Sequence, residues 1–552
     1  MVLALAGIAA LPAAVSAGSG PAAGVDRPEI LSVIPEDAAA AVWIRDLGAL
    51  DGKLGGLLGK LDLPPVSPLL MAKGWLTMVD GLDDGGSAAV VVLPESAGAT
   101  GTASRRSVVL LLPTTNRTAL LALLAPEPVE PGYTRVTLRG RPALAASKGS
   151  YTVFGPDMAA VKRVVASRRG VGATLSAHQR RRFKTDDLAV WINPRRDGAG
   201  GLFDFVAAMA GRIGIDREAL ARQKSVQLSL RLDPAGVAMH LYRERPAGAA
   251  ERMESSAPGS LLLGLPRGRF ALAMGVALTD GAGPERAARR LVAGALPVAV
   301  AIKPGRIDQV ADVVGQLVAK VGGVAVVVAP LPEDDGGLLA ITVIVTLRDG
   351  ATAVSDDIDA VVQLLRSAPF VDSTLNAAFS RLMHRRGAET TGGVSIDQIA
   401  LDASGLEATD AAILKRVAGS EGLSVRVGVV KARYLVATLG GGVARFDEAV
   451  TVVRSGAAPL ASDAGILRVA ERLPAQRWVE AYAHVDVLAR LGADVARVVA
   501  GATVGPWDLP ALEAPVALGV HRVLPAGDEL SVFVPVEVIE AVVSAGMAAV
   551  SP

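Results

Sequence analysis

The chain lacks cysteine entirely and has few aromatic side chains. Its 552 residues include no Cys, and Phe, Trp and Tyr together make up only 3%. The absence of cysteine excludes disulfide frameworks, thiol nucleophiles, cysteine zinc sites and cysteine-ligated iron–sulfur clusters. The scarcity of aromatics leaves few rings on which bases or sugars could stack. We therefore expect interiors packed from small aliphatic side chains.

An excess of charge of either sign is also missing. The formal net charge is +1, with 20% charged and 51% hydrophobic residues. This balance is typical of a folded protein, and the length indicates two or more domains. Because a neutral chain has no overall field that attracts a polyanion, we expect no nucleic-acid partner.

Long apolar runs are absent beyond the N-terminus. The later runs, for example Val321 to Leu331, are shorter than the ~20 residues that a helical span needs. The apolar run Val2 to Ala10, with small residues at Val15 and Ala17, instead predicts a signal peptide over residues 1–17, cleaved after Ala17. No Lys or Arg precedes this run, which departs from the usual signal pattern and is what a misassigned start codon or a missing basic segment would produce. An uncleaved membrane anchor and an ordinary buried helix are the alternatives.

One arrangement of residues occurs twice. Lys148 to Val153 precedes a helical pattern, and Lys431 to Val436 precedes another of the same kind. Both halves also end in alternating apolar strands around a turn, at Val226 to Tyr242 and at Val516 to Val536. This self-similarity predicts a duplicated unit.

The predicted fold class is α+β, with two tandem copies of a mainly antiparallel sheet flanked by helices. A flexible segment covers residues 18–30, the first copy 31–246, a linker 247–258 and the second copy 259–546, with an insertion around 285–400. Asp157 is predicted to cap the helix that follows it.

This layout, with turns such as Ile34-Pro35-Glu36-Asp37 before an apolar strand, resembles exported bacterial families to which no function is assigned. The resemblance implies an exported α+β protein and supplies no catalytic residues.

Three glycine-containing segments approach catalytic or cofactor motifs without completing them. Gly55 to Leu61 lacks the first glycine and the hydroxyl of a phosphate loop, Gly440 to Arg445 lacks the last glycine of a dinucleotide turn, and Gly393 to Asp397 lacks the closing glycine of a nucleophile elbow. We interpret the first as a leucine-striped helix and the second as a helix-entry turn. We predict no catalytic residue and no cofactor.

Histidines and carboxylates do not form a metal motif either. No two of the five histidines have helical metal spacing. His484 and Asp486 are predicted to share one face of a strand, as a structural histidine or, alternatively, part of a site. Adjacent Asp pairs, such as Asp186-Asp187, are assigned to turns and caps. Calcium is the one alternative for Glu333 to Gly337, and its spacing matches no established loop.

The densest basic stretch is the candidate surface for an anionic partner. It consists of Arg180, Arg181, Arg182 and Lys184, which would otherwise be a solvated helix face.

These observations favour a non-enzymatic exported protein of the bacterial cell envelope, in the periplasm or outside the cell, or membrane-tethered if the signal is retained. It would bind or scaffold an envelope protein, lipid or polymer. A hydrolase assembled from distant residues and a self-assembling structural protein are the alternatives.

Overall fold

The computed structural model describes residues 30–64, 66–78, 80–94, 107–196, 200–211, 217–245, 260–278, 303–331, 336–348, 354–367, 369–371, 373–457, 459–501, 509–523 and 527–550. The predicted signal peptide, most of the 18–30 segment and the 247–258 linker lie outside these residues. So do the start of the predicted insertion and Glu333 to Asp335 of the calcium alternative.

The chain divides into two compact units. The first unit contains Met1–Ala250 together with Val523–Leu530, and the second contains Glu251–Arg522 together with Ser531–Pro552. The division after Ala250 falls inside the linker predicted at 247–258. The segment Val523–Leu530, which the sequence places in the second copy, belongs to the first unit.

The first unit is built on an antiparallel sheet of ten strands among its described residues. Their order across the sheet is β4-β5-β6-β7-β3-β2-β1-β8-β9-β10. The strands are β1 Ala40–Ile44, β2 Ala88–Leu93, β3 Ser107–Pro113, β4 Glu127–Glu130, β5 Tyr133–Leu138, β6 Arg141–Lys148, β7 Tyr151–Gly155, β8 Leu188–Ile192, β9 Ser225–Asp233 and β10 Gly236–Glu244. Its helices are Ile30–Val33, Leu47–Lys60, Pro68–Leu76, Arg117–Leu121, Met158–Ala166, Ala177–Thr185, Gly200–Gly211 and Arg217–Ala221.

The described part of the second unit has the order β14-β15-β16-β17-β13-β12-β11-β18-β19-β20, again antiparallel in every pair whose register is defined. The strands are β11 Leu272–Ala277, β12 Val321–Pro330, β13 Leu339–Leu347, β14 Leu382–Thr391, β15 Val394–Leu401, β16 Ser424–Val430, β17 Tyr434–Leu439, β18 Val479–Ala483, β19 Val516–Val523 and β20 Gly527–Pro535. The first residues of β20, up to Leu530, belong to the first unit, and the second unit resumes at Ser531. The helices are Ile307–Ala319, Val354–Arg366, Ser373–Phe379, Ala408–Ala418, Gly442–Ser455, Ala464–Ala470, Val485–Ala500 and Val536–Val550.

The predicted α+β class with a mainly antiparallel sheet is confirmed. The two strand orders coincide when the strand numbers are shifted by ten, which is what a duplication would produce. The duplication itself stays a prediction. Residues 285–400, predicted as an insertion, contain β12, β13 and β14, which are strands of the sheet itself.

The repeated lysine has a defined structural role in each unit. Lys148 Nζ donates to the carbonyls of Val164 and Ser167 at the end of the helix Met158–Ala166. Lys431 Nζ donates to the carbonyl of Arg454 in the last turn of the helix Gly442–Ser455. In both units a lysine at the end of a strand therefore satisfies carbonyls that a helix C-terminus leaves open.

The cores combine many small aliphatic side chains with the few aromatic ones. The core beneath the helix Met158–Ala166 is mostly Ala, Val, Leu and Ile. Among the largest fully buried side chains, however, are Trp43, Tyr242, Tyr482, Phe154, Phe270 and Phe446. Asp157 caps its helix by accepting from the Ala160 amide at 2.8 Å, as predicted.

Candidate functional site

The basic stretch forms the helix Ala177–Thr185, which begins with a capping box between Ser176 and Gln179. Its side chains divide between two surroundings. Arg180, Arg181 and Lys184 are exposed, whereas Phe183 is buried in the core. Arg182 turns inward onto a carboxylate. Three of the four predicted residues therefore remain on the surface, and the fourth is part of an internal ion pair.

The carboxylate that Arg182 meets is Glu529, which is fully buried. Arg182 Nε donates to Glu529 Oε2 at 2.9 Å, and a second guanidinium nitrogen donates to Oε1. His178 Nε2 lies 2.5 Å from Oε2, and His240 Nδ1 lies 3.6 Å from Oε1. One arginine and two histidines thus surround a single carboxylate inside the first unit.

Burial and neighbouring charges oppose each other at Glu529, whereas burial and the Arg182 charge act together at His240. Burial alone would raise the pKa of Glu529, but the hydrogen bonds from His178 and Arg182 outweigh it and hold that pKa well below its usual range. Burial, reinforced by the Arg182 charge, lowers the pKa of His240 to about 4. Glu529 is therefore ionised and His240 neutral at pH 7. This ion pair fixes the start of β20 against the helix Ala177–Thr185.

Sequence reasoning missed this cluster because its members are distant along the chain. One signal was available: Asp528 and Glu529 are adjacent acids at the start of an otherwise apolar strand, β20. Asp528 is also paired, since Arg245 donates to its Oδ2 at 2.6 Å. Two adjacent acids in a buried strand indicate cationic partners elsewhere.

A second buried carboxylate, Asp187, joins the basic helix to the helix Leu47–Lys60. Its Oδ1 accepts from Arg45 at 3.0 Å and from Lys53 at 2.8 Å, and its Oδ2 accepts from the Leu232 amide. Arg45 also donates to the carbonyl of Lys184. Asp187, predicted as a turn or cap residue, therefore organises cations at the surface of the first unit.

The helices Leu47–Lys60 and Pro68–Leu76 form a layer that is apolar but poorly covered. Both are rich in leucine, yet within these two helices, whose residues are all described, no side chain is fully buried. Leu70 is 59% exposed and Trp75 is 49% exposed. The guanidinium carbon of Arg139 stacks 3.6 Å from the centre of the Trp75 ring. This layer presents apolar side chains with a cation directly beside them.

A pocket of about 460 Å³ opens beside the same layer. The helix Leu47–Lys60 forms one wall, through residues including Gly52, Gly56 and Leu57. The turn between β9 and β10 forms the other, through Leu232 and Pro234. The leucine-striped helix predicted here thus carries glycines on the face that borders the pocket.

The prediction for His484 and Asp486 is wrong in one respect. β18 ends at Ala483, His484 is the N-cap residue and Asp486 lies in the first turn of the helix Val485–Ala500. The His484 ring packs edge-on against Phe270 at 4.7 Å, and the buried Asp486 pairs with Arg269 and Arg490. The alternating pattern predicted that β18 continues through Asp486. No proline marks the change, and the chain instead passes from the strand directly into the helix.

In the second unit, His384 has two carboxylates beside it but does not form a catalytic pair with the nearby serine. His384 contacts Asp359 through Nδ1 and lies 3.4 Å from Asp397 through Nε2. The nearby hydroxyl of Ser355 donates to Asp397. A nucleophile needs its base as hydrogen-bond partner, and here the serine bonds the carboxylate.

The described residues contain neither a metal-binding cluster nor a membrane-spanning helix. Among them no group of three or more His, Asp or Glu side chains is arranged to hold a metal ion. Within the same residues, no helix has both the length and the apolar character required to span a membrane.

This chain has little similarity to known proteins. No family model matches the chain, and no curated protein matches it. Crystal forms IV, I and III of TP0453 are similar to 39%, 42% and 43% of this chain and cover 79%, 82% and 90% of their own chains. The sequence identity is 12% in each case, and the TM-scores are 0.25, 0.26 and 0.26. At these TM-scores the similarity supports no inference about fold or function.

Proposed function

We propose that this is a non-enzymatic, exported protein of the bacterial cell envelope, built from two copies of one α+β unit, which attaches to an anionic lipid surface. The helices Leu47–Lys60 and Pro68–Leu76 make the attachment. The observation that carries the proposal is the exposed pair Leu70 and Trp75, with Arg139 stacked on the Trp75 ring.

The apolar part of the contact follows from exposure. A folded protein normally covers leucine-rich helices, and apolar patches left open mark interaction sites. Tryptophan favours the boundary between lipid headgroups and acyl chains because its ring is amphipathic. Leu70 and Trp75 would enter that boundary while their helix lies in the plane of the surface.

The ionic part selects the lipid. Arg139 is exposed beside Trp75, and Lys60 is exposed at the end of the first helix. Basic side chains near a membrane surface each contribute about 1 kcal/mol of attraction to anionic lipids. A protein or polymer partner would not need this combination of an open leucine-rich layer with a cation stacked on an aromatic ring, so we favour lipid.

Flotation of the full chain with vesicles tests the proposal. We expect the protein to float with vesicles containing phosphatidylglycerol, to float less with pure phosphatidylcholine, and to lose binding as salt is raised. Leu70→Glu and Trp75→Glu should each reduce binding at least tenfold. Arg139→Gln should reduce binding to the anionic vesicles while leaving the weak binding to phosphatidylcholine unchanged.

The matched control is Leu123→Glu. Leu123 is 64% exposed in the same unit but lies outside the two helices. It receives the same charge change at a similarly exposed leucine, so vesicle binding should persist. Failure of the wild-type chain to float, or equal losses at Leu70 and Leu123, would overturn the proposal.

A further inference from the structure

The pocket beside the helix Leu47–Lys60 has the size and the lining of a small-molecule site. Its volume of about 460 Å³ lies within the range of roughly 300–1,000 Å³ typical of ligand pockets. Gly52 and Gly56 lie on its helical side, with Leu57 next to them, and Leu232 and Pro234 lie opposite. An extended apolar group would therefore contact side chains on one side and helix backbone on the other.

The two glycines keep this space open. A Cβ atom built at Gly52 or Gly56 meets no atom within 4 Å. Glycine is unfavourable within a helix by roughly 1 kcal/mol relative to alanine, so its presence here is not explained by helix stability. Because Gly52 and Gly56 also line the pocket, a larger side chain at either position would take up space at its helical wall.

Two ammonium groups border the pocket. Lys60 Nζ donates to the carbonyl of Pro234 at 2.6 Å, an uncharged acceptor, so its positive charge is not neutralised by that contact. Lys53 Nζ is held by Asp187 at 2.8 Å. The one carboxylate on the lining, Asp233, accepts from the Ala235 amide of its own turn at 2.9 Å. Asp233 keeps its negative charge, and Asp187 is shared by Arg45 and Lys53. Three cations, Arg45, Lys53 and Lys60, therefore stand against two carboxylates, and the net positive charge favours an anionic head beside Lys60.

We infer that this pocket binds a single anionic amphiphile, with one alkyl chain against Gly52 and Gly56 and its acidic headgroup at Lys60. The inference rests on the proposed function only in the class of ligand. It concerns one molecule taken into the protein, whereas the exposed Leu70 and Trp75 concern a lipid surface. Capture of one chain is the step that carrying lipid between surfaces would need.

Titration of the full chain with dodecanoate, kept below its micelle concentration, tests the inference. We expect saturable binding of one dodecanoate per chain. Gly56→Leu, which fills the pocket, should weaken this binding at least tenfold. Gly59→Leu is the matched control, because Gly59 is on the same helix, its Cβ also meets nothing within 4 Å, and it does not line the pocket.

The role of Lys60 in binding the acidic headgroup is tested by comparing a charged ligand with an uncharged one. Lys60→Met should weaken the binding of dodecanoate at least fivefold. Its affinity for uncharged dodecanol should stay within twofold of the wild-type value. Equal binding of dodecanoate by the Gly56→Leu and Gly59→Leu chains, or no saturable binding by the wild type, would overturn the inference. An unchanged preference for dodecanoate in Lys60→Met would overturn the role of Lys60.

The same variants separate this site from the vesicle contact. Gly56→Leu should still float with anionic vesicles, and Trp75→Glu should still bind dodecanoate. Loss of both activities in Trp75→Glu would mean that dodecanoate binds the exposed layer, and the pocket assignment would be wrong.

Discussion

Arg182 and Glu529 are 347 residues apart in the sequence and form a two-point ion pair inside the first unit. The carboxylate is fully buried, and only 17% of the arginine side chain is exposed. Because Glu529 belongs to the segment Val523–Leu530, this pair attaches a late piece of the chain to a unit formed almost entirely from its first 250 residues.

Removing the charge of Glu529 should destabilise the first unit. Glu529→Gln leaves Arg182 and His178 without their common anion, and breaking a buried ion pair from one side costs about 3–5 kcal/mol. The measurement is the free energy of unfolding from urea denaturation followed by circular dichroism.

The control for this change is Glu218→Gln. Glu218 also pairs with an arginine, Arg222, at 3.0 Å, but both side chains are more than three-quarters exposed. Exposed pairs of this kind contribute roughly 0–1 kcal/mol. Similar losses in the two variants would show that burial of the Glu529 cluster has no energetic weight.

The same cluster makes stability depend on pH. Burial lowers the pKa of folded His240 to about 4, with Arg182 and Arg231 acting in the same direction and Glu529 and Asp186 opposing it. The unfolded histidine has a pKa near 6.5, so between these values the unfolded chain binds more protons. Stability should therefore be full above pH ~6.5 and decline as the pH falls toward 4, by about 3 kcal/mol from this residue.

Glu529 continues the decline at lower pH. Its pKa is depressed in the folded state, so its contribution is present above the unfolded value near 4.3 and is lost as acid protonates it. Urea midpoints between pH 7 and 4 would measure the first effect. His240→Gln should flatten that range, and an unchanged slope in this variant would contradict the assignment to His240.

Local pattern was sufficient for most of the fold. The leucine stripe around Gly55 to Leu61 predicts a helix, which the structure places at Leu47–Lys60. Alternation in the closing hairpins predicts strands close to β9, β10, β19 and β20. These features depend on neighbours two to four residues away, which sequence periodicity reports directly.

The candidate site needed information that periodicity does not contain. From the sequence, Arg182 is indistinguishable from its solvated neighbours Arg180 and Arg181. Its side chain points inward only because it pairs with Glu529, which is distant in the sequence. The exposure of Leu70 and Trp75 is equally hidden, since a leucine stripe predicts which face is apolar and not whether anything covers it. Packing between distant segments decides both questions.

The repeated lysines should differ in importance although they have the same role. Lys148 Nζ bonds three carbonyls, those of Val33, Val164 and Ser167, at 2.6 to 3.2 Å in a partly buried setting. Lys148→Met would leave all three without this donor, which should cost about 2–3 kcal/mol of unfolding free energy.

Lys431 bonds only the carbonyl of Arg454 and is exposed. Water can replace its ammonium, so Lys431→Met should cost less than about 1 kcal/mol. Thermal unfolding of the two variants measures the difference. A larger loss at Lys431 would contradict the idea that the number of buried carbonyls sets the effect.

The exposed residues of the basic helix should matter for lipid attachment and not for folding. Replacing Arg180, Arg181 and Lys184 together by Gln alters only solvated side chains, and such changes usually shift stability by no more than about 0.5 kcal/mol. The helix is connected to the layer proposed to contact lipid through Arg45, which donates to both the Lys184 carbonyl and Asp187. Each lost charge near an anionic surface removes up to about 1 kcal/mol of attraction.

Flotation of this triple variant should therefore fall by at least tenfold on phosphatidylglycerol vesicles at low salt, and the deficit should shrink as salt screens the wild-type charges. Arg182→Gln provides the contrast, because it removes the buried partner of Glu529 and should lower the free energy of unfolding by about 3 kcal/mol. If the triple variant unfolds as readily as Arg182→Gln, the division of this stretch into three surface charges and one internal charge is wrong. If it keeps full vesicle binding, the surface charges take no part in attachment, and Arg139 and Lys60 must supply the ionic contact alone.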